Sequence, residues 1–199
     1  MNIAVLASGN GSNFEALVKY LKSAKIDAKI NLLVVDKKNA FVRTRAKKLK
    51  IKELLIDQRK FPTRIAFEKE IAGHLQKEQI DLVVLAGYMR IISSYFIKQF
   101  KNKIINIHPA LLPAFRGRDA IKRAFNHGSK VSGVTIHFVD EQIDHGPIIL
   151  QESIEIPKNI TLKKFEAKIH ALEHKLLPQA IKLFSEKKVR LFEKKVKIT

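Results

Sequence analysis

Short apolar runs alternate with stretches of helical periodicity through the first half of this chain, and few folds accept that order. Residues 2–7, 30–35 (INLLVV), 51–56, 81–87 (DLVVLAG) and 103–108 (KIINIH) read as buried strands. Between them, Phe14, Leu17, Val18 and Leu21 recur at helical spacing, 41–50 is a basic helix, and 64–78 is a helix with Ile65, Phe67, Ile71, Ala72 and Leu75 inward. Residues 93–100 form another. Strands with helices on the crossovers predict an α/β fold: a mostly parallel sheet covered by helices on both faces. The order then changes. VSGVTIHFV (131–139) and PIILQESIEI (147–156) have no helix between them, which predicts an antiparallel C-terminal extension of the sheet. A long helix over 161–186 follows Thr161, with Pro178 expected to kink or divide it. The tail, 189–199, reads as one more edge strand or an ordered arm.

At 199 residues the chain suits one domain. It has no cysteine, which excludes a disulfide framework, a thiolate nucleophile and a Cys-type zinc site. No run is long and apolar enough for a membrane span, and the start does not resemble a signal peptide, so a cytoplasmic protein is expected. The net charge of +19 admits a polyanionic partner. The lysines are spread over nearly every predicted helix and no aromatics interleave with them, which fits a solvated basic surface better. The expected partners are therefore small molecules, with no nucleic acid and no membrane, and the chain works as monomer or homodimer.

The loop Ser8-Gly9-Asn10-Gly11-Ser12-Asn13 joins the first strand to the first helix. Glycines let the backbone turn sharply, and free N–H groups at a helix start suit a phosphate. Ser12 and Glu15 have capping-box spacing, so a tight, well-capped turn would read the same locally. The loop lacks the Lys-Ser/Thr of a Walker A motif. Phe14 stands where a dinucleotide fingerprint needs its third glycine, so Asp36 is not read as a ribose ligand. A phosphate monoester fits best.

The run KIINIHPALLPAFRGRDA (103–120) carries the chemistry. Asn106 and His108 are two apart, so on a strand they share a face, and Pro109 ends the strand. An amide and an imidazole aimed together suit a carbonyl that becomes an oxyanion. Asp144, in the acidic loop VDEQIDHGP, is read as their carboxylate partner; beside His108 it is expected to raise the imidazole pKa and keep the ring protonated. No G-x-S-x-G elbow exists, so direct transfer to an amine is preferred over a covalent intermediate. His170-Ala171-Leu172-Glu173-His174 spells a zinc-protease signature. With Glu186 and Glu193 as the only later carboxylates, it is read instead as helix packing or contacts to a polar substrate, with no metal.

Taken together, NIAVLASGNGSN, AGYMRIIS (86–93), NIHPALLPAF, the stretch from Gly133 to Leu150 and EHKLLP (173–178) resemble the folate-dependent formyltransferases, in that order and over nearly the whole chain. The resemblance implies a Rossmann-like formyltransferase fold and transfer of the formyl group of 10-formyltetrahydrofolate to the amine of glycinamide ribonucleotide. It implies a single domain over 1–199, with a nucleotide-binding half (1–100) and a catalytic and folate half (101–199). Asn106, His108 and Asp144 match the family's catalytic triad. Gly11, Ser12 and Asn13 match its loop for the nucleotide phosphate and ribose, and His170 and Glu173 match positions that hold the same substrate. Arg64, Met89, Arg90, Ile91 and Ile92 match folate-binding positions, joined by Asn106, Asp140 and Asp144. The sequence departs from the family at Arg116, where proline is commoner, and at Leu177, where tyrosine is. Arg116 and the high charge are reminiscent of methionyl-tRNA formyltransferases, which lack the SGNGSN loop and carry a further domain. Formyltetrahydrofolate deformylases add a regulatory domain, and a non-catalytic nucleic-acid-binding module would not need the Asn106, His108 and Asp144 set.

Overall fold

The structure, a computed structural model, describes every residue except Lys194. The chain forms two compact units, Met1–Ile105 and Asn106–Thr199.

In the first unit the order is β1 (Asn2–Ala7), α1 (Ser12–Ser23), β2 (Lys29–Val35), α2 (Val42–Leu49), β3 (Glu53–Leu55), a short 3₁₀ turn (Gln58–Lys60), α3 (Arg64–Lys77), β4 (Leu82–Leu85) and α4 (Ser94–Gln99). The strands lie in the order β3-β2-β1-β4, all parallel. Ile3 to Ala7 are fully buried, as a central parallel strand covered on both faces requires. From β1 the chain steps outward through β2 to β3, then returns to the other side of β1 as β4. Right-handed crossovers in opposite directions put α1 and α2 on one face and α3 on the other. The helices start on side-chain caps where the sequence offers one: Thr63 accepts from the Ala66 N–H (3.1 Å) and Ser93 from that of Phe96 (3.4 Å). Ile65 differs from expectation. It is exposed, because it lies two residues, about 200° around the helix, from the buried Phe67-Ile71-Leu75 stripe.

The second unit opens on the last residues of β5 (Ile104–His108), which crosses the boundary between the units. It continues with α5 (Ala120–Asn126), β6 (Val131–Phe138), β7 (Ile148–Glu155), α6 (Leu162–Ser185), β8 (Val189–Phe192) and β9 (Lys195–Ile198). The strand order here is β5-β6-β7. β6 and β7 are antiparallel and in register from Val131↔Glu155 to Ile136↔Leu150, with a slip at His137↔Ile148. α6 buries Phe165, Ile169, Leu172, Leu176, Leu177, Ala180 and Ile181 at three- and four-residue spacing. Its start is capped by Thr161, and it is not divided at Pro178, which lies within the continuous helix. Among the described residues the tail adds no edge strand to the main sheet. β8 and β9 pair with each other as a two-stranded sheet of their own. Lys194, within that stretch, lies outside the described residues. α5 and the 3₁₀ turn were not visible in the periodicity.

The architecture is the expected α/β one: a mostly parallel, Rossmann-like sheet with helices and an antiparallel C-terminal extension. Among the described residues no helix is long and apolar enough to cross a membrane.

Candidate active site

β5 delivers two polar side chains from an apolar strand. Ile104, Ile105 and Ile107 are buried, and Asn106 and His108 alternate with them. Both meet Asp144, which sits in the loop between β6 and β7 at a positive φ of 48°. Aspartate tolerates this left-handed backbone better than most residues. One Asp144 oxygen, Oδ2, lies 3.2 Å from His108 Nδ1 and accepts the Gly117 N–H at 2.7 Å. The other, Oδ1, accepts the Asn106 side-chain amide at 3.2 Å. The amide nitrogen must face this way, since its oxygen would oppose the carboxylate.

A fourth group belongs to the cluster and was missed in the sequence. His137, on β6, is 2% exposed. Its Nδ1 donates to the Phe138 carbonyl (2.8 Å), and its Nε2 lies 3.2 Å from the Asn106 amide nitrogen. Asp144 Oδ1 is 3.6 Å from the same nitrogen. Thr135, two residues before on the same strand face, accepts the Leu112 N–H (3.1 Å) and donates to the Ala110 carbonyl (2.7 Å). One face of β6 thus fixes both Asn106 and the segment that follows β5. His137 was hidden because VTIHFV reads as an apolar strand; the signal available was its strand-face spacing from Thr135.

The electrostatics correct one expectation. Burial is the largest influence on His108 and pushes its pKa below the ordinary imidazole value. Asp144 and the Phe115 carbonyl oppose this, and His137 and Arg123 push it further down. The ring is therefore not held protonated by Asp144, as the sequence suggested, because the end of β5 is enclosed and a charge there is poorly solvated. Both of its nitrogens nevertheless face acceptors, Nδ1 toward Asp144 and Nε2 toward the Phe115 carbonyl at 3.0 Å. Burial alone would raise the Asp144 pKa, but the His137 ring, the Gly117 N–H and His108 outweigh it and hold the carboxyl below its usual range. The site is an ionised carboxylate beside an imidazole that one added proton would satisfy completely.

In the first unit, the loop after β1 leads into a helix start that no side chain caps. Gly11 is the N-cap of α1, at φ 76°. The capping box is not formed. Glu15 turns away to Lys19 (2.6 Å) and to Arg45, which also holds the Asn10 carbonyl (2.9 Å) and the Asn10 side chain (2.8 Å). A Cβ at Gly11 would run into Val42, so the loop lies close against α2. The first-turn amides at Ser12 and Asn13 are left without a side-chain cap.

The remaining candidates fall in two groups. On α6, His170 Nδ1 bonds the buried Glu173 at 2.7 Å, and that bond raises the His170 pKa. Asp140 turns back into its own loop, accepting the Gln142 N–H (3.0 Å) and contacting His145 (2.7 Å). In the first unit, Arg64 opens α3 and is exposed, Met89 and Ile91 are 50% and 57% exposed, and Ile92 is buried. Arg90 is engaged internally, on the buried Asp36 at 2.6 Å and on Gln58.

Comparison with known proteins agrees with this geometry. The formyl transferase family model matches residues 1–181. The chain is 49% identical over 179 residues to phosphoribosylglycinamide formyltransferase of Bacillus subtilis, covering 90% of this chain and 92% of the relative. It is 36% identical over 189 residues to the enzyme of that name from Haemophilus influenzae, covering 95% and 89%. The crystal structure of glycinamide ribonucleotide transformylase 1 from Symbiobacterium toebii superposes with a TM-score of 0.96 at 38% identity, over 100% of this chain and 93% of that one. An Asn-His-Asp cluster at the end of a strand, an uncapped helix start behind a glycine loop and these likenesses agree: the chain belongs to the formyl transferase family, in its phosphoribosylglycinamide formyltransferase branch.

Proposed function

We propose that this chain transfers the formyl group of 10-formyltetrahydrofolate, a co-substrate, to the amine of glycinamide ribonucleotide in purine biosynthesis, in the cytoplasm and without a metal. The observation that carries the reading is the cluster in the second unit, where Asn106 and His108 each lie 3.2 Å from the ionised Asp144.

The substrate amine attacks the formyl carbon, and the carbonyl electrons move onto oxygen. The new oxyanion takes N–H donors from Asn106 and His108. These donors are turned onto Asp144, His137 and the Phe115 carbonyl, so substrate exchanges partners rather than meeting empty ones. A negative oxygen beside His108 favours the second proton that its two acceptors already call for, and Asp144 stabilises the imidazolium. The intermediate collapses as the bond from carbon to the folate N10 breaks. The proton lost by the amine passes to N10 with Asp144 and His108 as the groups in reach, and tetrahydrofolate leaves. Positioning of the two substrates supplies much of the rate.

In this reading Gly11, Ser12 and Asn13 bind the phosphate and ribose, with His170 and Glu173 on the same substrate. Arg64, Met89, Arg90, Ile91, Ile92 and the 140–144 backbone, Asp140 included, bind the folate. The chain acts as a single functional module, as monomer or homodimer. The test is a formyl-transfer assay with 10-formyltetrahydrofolate and either glycinamide ribonucleotide or charged initiator methionyl-tRNA, read by folate absorbance. Turnover with the ribonucleotide alone is expected. Turnover with the tRNA alone would overturn the reading and make the exposed Arg116 the better guide.

A further inference from the structure

We infer that Arg123, on α5, is a positioning residue for formyl transfer, holding the 115–118 loop against His108 and Asp144. The inference rests on the formyl-transfer reading above.

The loop touches both groups through its backbone. The Phe115 carbonyl accepts from His108 Nε2 at 3.0 Å, and the Gly117 N–H donates to Asp144 at 2.7 Å. Its conformation is not one the chain adopts unaided: Phe115, Gly117 and Asp119 all have positive φ, at 54°, 83° and 56°. Two of the three are not glycine, so outside contacts must support the turn. Arg123 supplies them. Its guanidinium donates to the Phe115 carbonyl (2.6 Å), to the Arg116 carbonyl and to the Arg118 carbonyl (3.1 Å). It also lies 6.0 Å over the Phe115 ring, whose edge packs on His127 at 5.8 Å. A planar fork of donors can meet three carbonyls of one turn at once, which a lysine ammonium matches poorly.

The shared carbonyl makes this contact functional. A carbonyl oxygen has two lone pairs, and at Phe115 one serves His108 and the other Arg123. When His108 turns its N–H to the formyl oxygen, the Phe115 carbonyl keeps a charged donor. The loop therefore need not follow His108, and Gly117 stays on Asp144. Without Arg123, releasing His108 would strip the carbonyl of both donors and loosen the turn that seats Asp144.

The test compares R123A and R123K with the unaltered protein by steady-state kinetics and by amide hydrogen exchange at Gly117. R123A is expected to lower kcat roughly 10- to 100-fold, the scale of a misplaced catalytic group, while the KM for glycinamide ribonucleotide stays within about twofold. Gly117 exchange should quicken at least about tenfold, and R123K should recover part of both. Neighbouring K122A, a loss of one exposed charge, should change neither. Unaltered kcat with unaltered Gly117 exchange in R123A would overturn the inference. Should R123A fail to fold, R123K decides by the same two readings. The exchange measurement needs no substrate, so failure of the formyl-transfer reading would show as an inactive unaltered protein and is told apart from failure of the Arg123 inference.

Discussion

In the first unit, Glu68, Asp36 and Ser8 each pin one stretch of chain, whereas the polar groups around Asp144 in the second unit share their partners. Glu68 takes both the N–H (3.0 Å) and the hydroxyl of Ser93, which ties α3 to the start of α4. Asp36 holds Arg90, and Ser8 accepts the Met89 N–H at 2.9 Å while its own N–H bonds the Gly87 carbonyl. Each of these seats one loop. In the second unit, Asn106 serves both Asp144 and His137, Asp144 serves Asn106, His108 and Gly117, and the Phe115 carbonyl serves His108 and Arg123. A group with one partner is a fastener. A group with several partners at hydrogen-bond distance can exchange one of them for a substrate without being left bare. The difference teaches that buried polarity locates chemistry here only where it is networked.

Three substitutions break or sharpen that contrast. Asn106→Ala removes the proposed oxyanion donor and should lower kcat by roughly 10²–10³ with little change in thermal stability. A normal rate would reduce the network to a fastener like those of the first unit. Glu68→Ala should do the opposite. It leaves the buried Ser93 N–H and hydroxyl proton without their acceptor, costing about 1–3 kcal/mol in a denaturant titration, with kcat unchanged. A large rate loss in that variant would mean that the first unit's pairs are not merely structural. The smallest effect is expected on α6, where the folded His170 pKa is raised by its bond to Glu173. Its contribution is complete below about pH 6.5, the unfolded value, and is lost as pH rises through the higher folded value. His170 is half exposed, so the contribution should stay under about 1 kcal/mol. His170→Gln should therefore melt lower than the unaltered protein in acid and equally at alkaline pH; a gap that widened with pH would refute the assignment.

How much of this was legible follows the range of the forces involved. The pair Asn106 and His108 stood out because strand alternation is local, and Asp144 because an acidic turn between two strands has few other places to go. His137 was invisible inside an apolar strand, and Arg123 because α5 is too short for periodicity to mark. Ser12 and Glu15 have the spacing of a capping box, but no box forms. Glu15 is taken instead by Lys19, four residues on, and by Arg45, thirty residues on, which nothing near Glu15 in the sequence announces.

By itself the sequence determined the alternation of strands and helices from β1 to β5 and the face on which each side chain of β5 lies. Those follow from backbone geometry and from each residue's own shape. Only the tertiary structure decided the direction of the His108 pKa shift, the donors on Asp144 and the hold of Arg123 on the 115–118 loop. Such properties depend on solvent exclusion and on partners far apart along the chain, and folding alone brings these together.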